Sequence, residues 1–396
     1  MRRSIGFTIL VVPLAIMLVT MGPGLSGTAT AKGGQWVTAW GSSPQNLATV
    51  TVTNATVEMI ARSTIAGDFV RITLENTFGP NPLTIGEAYI GLRNRGAGLV
   101  PGSNARLTFS GLPSVTIPAG GRVTSDPADL RVEAQQDLAV SLYVPGLNVQ
   151  ISQHSSAVTT SYLTADGAGN LAASEIRTAF TRTTTSMYWL SAIDVFSSSA
   201  AGAIIAFGDS ITDGTCSTLD AHDRWEDVLA LRLWNPDKWD SDNKDSDNKN
   251  KHVAVVNEGI GGNTVTRAGL VPPPDSLPGI ERLDRDVLDR NGVTHVIYFE
   301  GTNDIRRGAS AVQVIDGMQD ILNRVKARGL KIIGVTIIPR HNVPPSGTNT
   351  GWNDAKTAVR NEVNHWIRHE ADFDDILDFD EVVRDPNNHD LINPIY

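Results

Sequence analysis

The alternation of apolar and polar positions changes character near residue 200. Val70, Ile72 and Leu74 are interleaved with Arg71, Thr73 and Glu75, the period of two that buries one face of a strand. Short runs of the same kind recur at Leu83–Leu92, Val115–Ile117, Leu138–Val144 and Met187–Val195. Gly79-Pro80-Asn81-Pro82 and Pro101-Gly102-Ser103-Asn104 punctuate them as turns. Helical periodicity is scarce before residue 200, so residues 32–199 are expected to form a β-sandwich of jelly-roll type. The stretch Ser197-Ser198-Ser199-Ala200-Ala201-Gly202 marks the junction.

Beyond it, short apolar runs alternate with amphipathic helical stretches. Ala203–Phe207, Val253–Val256, His295–Phe299, Lys331–Ile337 and Ile376–Phe379 are predicted strands, and Ala311–Arg328 and Trp352–Glu370 predicted helices. Strands this apolar fit a parallel sheet covered on both faces, so residues 200–396 are expected to form a three-layer α/β/α domain. Ser241 to Lys251 interrupts the pattern with Ser-Asp-Asn-Lys written twice and no apolar residue. It is expected to be a solvated loop. Its acids lack the glycine and the spacing of a calcium loop, so no metal is expected there.

Charge and termini narrow the function. A formal net charge of −10 disfavours nucleic acid, whose binding requires a basic surface. Arg2 and Arg3, the apolar stretch from Ile5 to Met21 and the small residues Ala29-Thr30-Ala31 read as a signal peptide over residues 1–31. The mature chain is therefore expected to be secreted, to the periplasm or the medium, without a stable membrane anchor. Cys216 is the sole cysteine, which excludes an intramolecular disulfide, and is expected to be a small packed residue.

Three strings carry the chemistry. Gly208-Asp209-Ser210 follows the first strand of the second half. Asn257-Glu258-Gly259-Ile260-Gly261-Gly262-Asn263 follows the second, and Gly301-Thr302-Asn303-Asp304 the third. In an open parallel sheet the carboxyl ends of neighbouring strands share one edge, so the three strings converge there. A serine at a strand tip suits nucleophilic attack, while a glycine N–H and an asparagine amide are oxyanion donors. Taken alone, Ser210 is equally a helix N-cap.

In this order the strings resemble blocks I, II and III of the SGNH (GDSL-type) hydrolases, over roughly residue 203 onward. The resemblance implies a flavodoxin-like three-layer fold, a serine ester hydrolase activity and no cofactor. It implies Ser210 as nucleophile, with Gly262 and Asn303 as oxyanion donors and Gly261 as the alternative glycine. The early Trp36-Val-Thr-Ala-Trp40-Gly is similar to the N-terminal region of a secreted bacterial arylesterase/acylhydrolase subgroup associated with xylan degradation. That likeness implies short acyl or aryl esters as substrates, among them acetylated polysaccharide.

A serine nucleophile needs a base, which the family supplies from a late Asp-x-x-His block. No histidine here fits. Only His365 has an acid three residues earlier, Glu362, and both lie in a predicted helix. His365 and His369 are expected to be solvated helix-face residues rather than metal ligands, and His295 a strand residue. His389 lies in the right region, yet its surroundings resemble the connection upstream of that block. The expectation is a chain truncated before its catalytic histidine and aspartate, with part of the sheet face left uncovered. Two rivals follow from the same residues. One is a carbohydrate-binding protein with a disabled hydrolase domain, using exposed aromatics among Trp36, Trp40, Tyr89 and Trp189. The other is a flavodoxin-like phosphate binder, disfavoured because the Gly208–Gly214 loop is no glycine-rich cradle.

Overall fold

The computed structural model describes residues 33–235 and 252–396. The expected signal peptide over residues 1–31 and the expected loop at Ser241 to Lys251 lie outside the described residues.

The period-two pattern folds as expected. In the strand Gly67–Glu75, Val70, Ile72 and Leu74 are fully buried. This strand pairs with Leu190–Ser197, which pairs in turn with Gln35–Gly41, while Arg122–Thr124 and Ala128–Val132 complete a five-stranded antiparallel sheet. A second, seven-stranded sheet is centred on Gln136–Val144, lying between Ala55–Ser63 and Glu87–Arg95. A third pairs Asn46–Val52, Val149–His154 and Met187–Tyr188. Side chains from these sheets, among them Ile72, Leu74, Val57, Met59 and Leu142, meet in one hydrophobic core.

Only Ser198 and Ser199 separate the strand Leu190–Ser197 from the first parallel strand, β1 (Ala200–Gly208). The others are β2 (His252–Gly259), β3 (Val293–Phe299), β4 (Lys331–Val335) and β5 (Asp375–Leu377). Their order is β2-β1-β3-β4-β5, all parallel. The order reverses direction at β1, which makes its carboxyl end a topological switch point.

Among the described residues the α-helices are α1 (Ser210–Asp213), α2 (Trp225–Trp234), α3 (Gly279–Leu283), which runs on into a π-helical turn at Asp284–Leu288, α4 (Thr302–Arg306), α5 (Ala311–Ala327), α6 (Asp354–His369) and α7 (Phe379–Val383). Ser310 and Gln313 form a reciprocal capping box on α5. Its buried residues Val314, Met318, Ile321 and Val325 recur every three or four positions and join the main core. On the opposite face of the sheet, Ile297, Phe299 and Val335 form a smaller cluster with half-buried Ile204, Trp225, Leu229 and Phe379.

One expectation fails. Cys216 is exposed rather than packed, with φ +73. It follows Gly214, the left-handed residue that ends α1, so it lies in the turn leaving the helix and not in the core.

Candidate active site

Gly208 ends β1 against its neighbour β3. A Cβ there would lie 2.6 Å from the carbonyl oxygen of Phe299, so only glycine permits the approach. Asp209 then caps α1, its carboxylate accepting the Ile211 N–H at 3.0 Å. Burial pushes the Asp209 carboxyl up to about 7, against that hydrogen bond and Arg340. Ser210, the first helical residue, is half-buried. Among the described residues neither its N–H nor its hydroxyl has a protein partner.

The loop after β2 is packed on α1. Asn257 Nδ2 donates to the Thr212 carbonyl at 2.6 Å, and the Ile260 N–H donates to the Gly208 carbonyl at 3.1 Å. The Gly261 N–H donates to Asp213 Oδ2 at 2.6 Å, so it is already spent. Gly262 adopts φ +75, and its N–H meets no acceptor among the described residues. Of the two glycines, Gly262 is the one with a free donor. After β3, Gly301 at φ +110 turns the chain into α4. Asn303 Nδ2 donates to the Asn263 carbonyl at 2.9 Å and to Asp209 Oδ2 at 3.3 Å. Through these two bonds Asn303 ties the residue before Ser210 to the residue after Gly262. The three strings thus meet at one sheet edge.

A buried guanidinium holds that edge together. Arg282, on α3, is fully buried and stacks 4.1 Å over the Phe207 ring. It donates to the Gly208 carbonyl at 2.8 Å, Asn263 Oδ1 at 2.8 Å, the Glu258 carbonyl at 2.7 Å and Glu300 Oε1 at 3.1 Å. It also reaches Ser43 Oγ of the β-domain at 3.1 Å and Asp286 at 3.2 Å. Burial opposes ionisation of Asp286, but Arg285, Arg282 and Arg290 outweigh it and hold the carboxyl at about 2.

The histidines lie elsewhere. Among the described residues none hydrogen-bonds Ser210. His389 is exposed on the strand Asn388–Ile392, and His295 Nδ1 is 2.9 Å from Thr294 Oγ1. His365 and His369 are exposed with ring centroids 4.7 Å apart, and His365 faces Glu370 at 3.7 Å. Among the described residues no group of three His, Cys, Asp or Glu side chains is placed to hold a metal. Of the four aromatics that a sugar platform would use, Trp189 is buried and Trp36, Trp40 and Tyr89 are half-buried.

The sequence did not single out Asp213, His154, Ser43, Gln45 or Arg282. Asp213 stands three residues past Ser210 and was within reach of a helical-spacing argument. Ser43, Gln45 and His154 reach across from the β-domain, and Arg282 gathers partners from several separate loops, so none of them left a local signal.

The family model of the GDSL-like lipase/acylhydrolases matches residues 206–393, the stretch that contains all three strings. Residues 206–393 form a GDSL-like lipase/acylhydrolase (SGNH hydrolase) domain. This acylhydrolase domain follows an antiparallel β-domain to which the family model does not extend. Solved structures similar to the chain include AlinE4, described as an SGNH-hydrolase family esterase, at 19% identity over 47% of this chain and 80% of that one, TM-score 0.32. Native M. smegmatis aryl esterase is similar at 21% identity over 49% and 91%, TM-score 0.36. Est24, described as a carbohydrate acetylesterase from Sinorhizobium meliloti, is similar at 19% identity over 45% and 83%, TM-score 0.35. No curated protein sequence matches the chain.

Proposed function

We propose that the acylhydrolase domain cleaves short acyl or aryl esters through a covalent acyl-enzyme. Ser210 Oγ attacks the ester carbonyl, and the tetrahedral oxyanion is met by the Ser210 and Gly262 N–H groups and the Asn303 amide. The observation that carries this is the pair of unspent backbone N–H groups, on Ser210 and Gly262, on loops that Asn303 ties together. To join them, Asn303 exchanges its 3.3 Å bond to Asp209 for the oxyanion and keeps the shorter bond to Asn263. The proton of Ser210 passes to a histidine of an Asp-x-x-His block, a string that residues 1–396 do not contain. Acetyl groups on polysaccharide are the proposed natural esters, on the likeness of the Trp36–Gly41 segment, and export through residues 1–31 brings the enzyme to them.

A fluorophosphonate probe tests this. It is applied to the 396-residue chain and to one continued through the native reading frame past Tyr396. Labelling of the longer chain alone, abolished by Ser210→Ala, is the expected result. Labelling of the 396-residue chain would place the base within it and make His389→Ala the next variant. A longer chain that never labels would overturn the esterase and leave the carbohydrate-binding protein.

A further inference from the structure

The peptide group between Gly261 and Gly262 is held from outside the acylhydrolase domain. It is trans, so the Gly261 carbonyl and the Gly262 N–H lie in one plane and point in opposite directions. Whatever fixes that carbonyl therefore fixes the direction of the free donor. The group that reaches it is Gln45 of the β-domain, whose Nε2 donates to the Gly261 carbonyl at 3.4 Å. The Gln45 amide is itself oriented, because its Oε1 accepts the Ser155 hydroxyl at 2.5 Å.

The other side of Gly261 is held by a relay. Its N–H donates to Asp213 Oδ2 at 2.6 Å, and Asp213 Oδ1 faces His154 Nε2 of the β-domain at 3.0 Å. His154 Nδ1 faces the Ser43 carbonyl at 3.0 Å, and Nε2 also faces the Ser156 carbonyl at 3.2 Å. A carbonyl or carboxylate accepts only, so both ring nitrogens must donate, and the ring is an imidazolium. Burial opposes that charge, yet Asp213 and the carbonyls raise the pKa of His154 above its ordinary value. Ser43 adds a third grip, donating to Glu258 Oε2 at 2.6 Å.

We infer that Gln45 and His154 of the β-domain are positioning residues that aim the Gly262 N–H at the oxyanion. This rests on the proposed role of Gly262. In these terms the β-domain completes the active site, and the 206–393 stretch lacks part of its own oxyanion support.

Two variants separate this from a general structural effect. Gln45→Glu keeps the acceptor for Ser155 but removes the donor to Gly261. His154→Gln keeps one N–H for Asp213 and serves as the conservative partner of His154→Ala. Hydrogen exchange is followed by mass spectrometry in the peptide covering residues 257–264, with the peptide covering 190–197 as the control for an intact β-domain. Exchange in 257–264 is expected to rise in Gln45→Glu and His154→Ala, less in His154→Gln, with 190–197 unchanged. In the chain that the probe labels, phenyl acetate hydrolysis should lose about tenfold in kcat with KM within twofold, since an oxyanion exists only in the transition state. Unchanged exchange at 257–264 in both Gln45→Glu and His154→Ala overturns the inference, as does raised exchange with unaltered kcat. Hydrolysis that survives Ser210→Ala would instead overturn the esterase site, and the exchange data alone would then decide the hold on the loop.

Discussion

Glu58 in the β-domain and Asp286 in the acylhydrolase domain are both fully buried acids facing arginines, yet their pKa values separate in opposite directions. Burial raises Glu58 to about 7, with Arg177 and the Ser141 hydroxyl only partly opposing it. Asp286 is held at about 2. The difference is in the number and geometry of cations. Glu58 has one guanidinium at 3.1 Å and an oxygen, Oε1, with no hydrogen-bond partner. Asp286 takes two bonds from Arg285, at 2.5 and 2.8 Å, and a third from Arg282 at 3.2 Å. A single buried partner does not repay desolvation, whereas a convergent set does. The protein assembles such a set where three strand-end loops must be locked, and not in the sheets of the β-domain.

The largest effect that this contrast predicts is chemical. In the longer chain that the probe labels, Ser210→Ala should lower ester hydrolysis on the order of a millionfold while leaving the thermal midpoint nearly unchanged, because its hydroxyl has no partner among the described residues. Arg282→Met comes next. Asp286 keeps Arg285 and Glu300 can take up a proton, but the buried Gly208 and Glu258 carbonyls and Asn263 Oδ1 each lose a donor, so the change should cost about 3–5 kcal/mol in urea unfolding, against about 1 kcal/mol for Arg177→Met, where Glu58 takes up a proton. A cost for Arg177→Met equal to that for Arg282→Met would erase the distinction.

The pH dependence sharpens it. A carboxyl raised in the folded state contributes stability that is intact below its unfolded pKa and lost as pH rises through the folded one. Glu58 should therefore remove roughly 3 kcal/mol between about pH 4.5 and 7, and Glu58→Gln should flatten that part of the profile. Asp286 has the reverse sign. Its contribution is present above the ordinary aspartate pKa and is lost only as pH falls towards 2, so Asp286→Asn should destabilise at neutral pH. The smallest effect is conformational. Gly262→Ala should cost about 1 kcal/mol through its left-handed backbone, because a Cβ there meets only Arg307 Nη2 at 3.9 Å. Gly301→Ala should cost more, as its Cβ would lie 2.8 Å from Ile337 Cδ1 and 2.9 Å from Met318 Cε.

What the sequence disclosed follows the range over which each residue acts. The strand Gly67–Glu75 and the helix Ala311–Ala327 were legible because a period of two or 3.6 is written in consecutive residues. That Ser210, Gly262 and Asn303 would meet at one edge was legible because each follows an apolar run within a few positions, and a parallel sheet gathers such ends at one edge. Arg282 was invisible, since nothing in Gly279–Leu283 tells that its guanidinium reaches Gly208, Asn263 and Ser43. Gln45 and His154 lie in the β-domain, and their meaning appears only once the two halves touch. Cys216 misled for a local reason: burial was inferred from residue type, while a left-handed turn turns it outward.

The grip of Ser43 has a consequence in time. Its partners Glu258 and Arg282 stand 215 and 239 residues further along the chain. At a synthesis rate of roughly 5–20 residues per second, Ser43 emerges on the order of 10–50 seconds before Arg282 exists. The antiparallel sheets can be complete by then, but Gln45 Nε2, the Ser43 hydroxyl and His154 Nε2 still lack their partners Gly261, Glu258, Arg282 and Asp213. The proposed catalytic edge thus cannot set before Arg282 is made, and a chain interrupted earlier carries Ser210 with nothing yet to hold the loops around it.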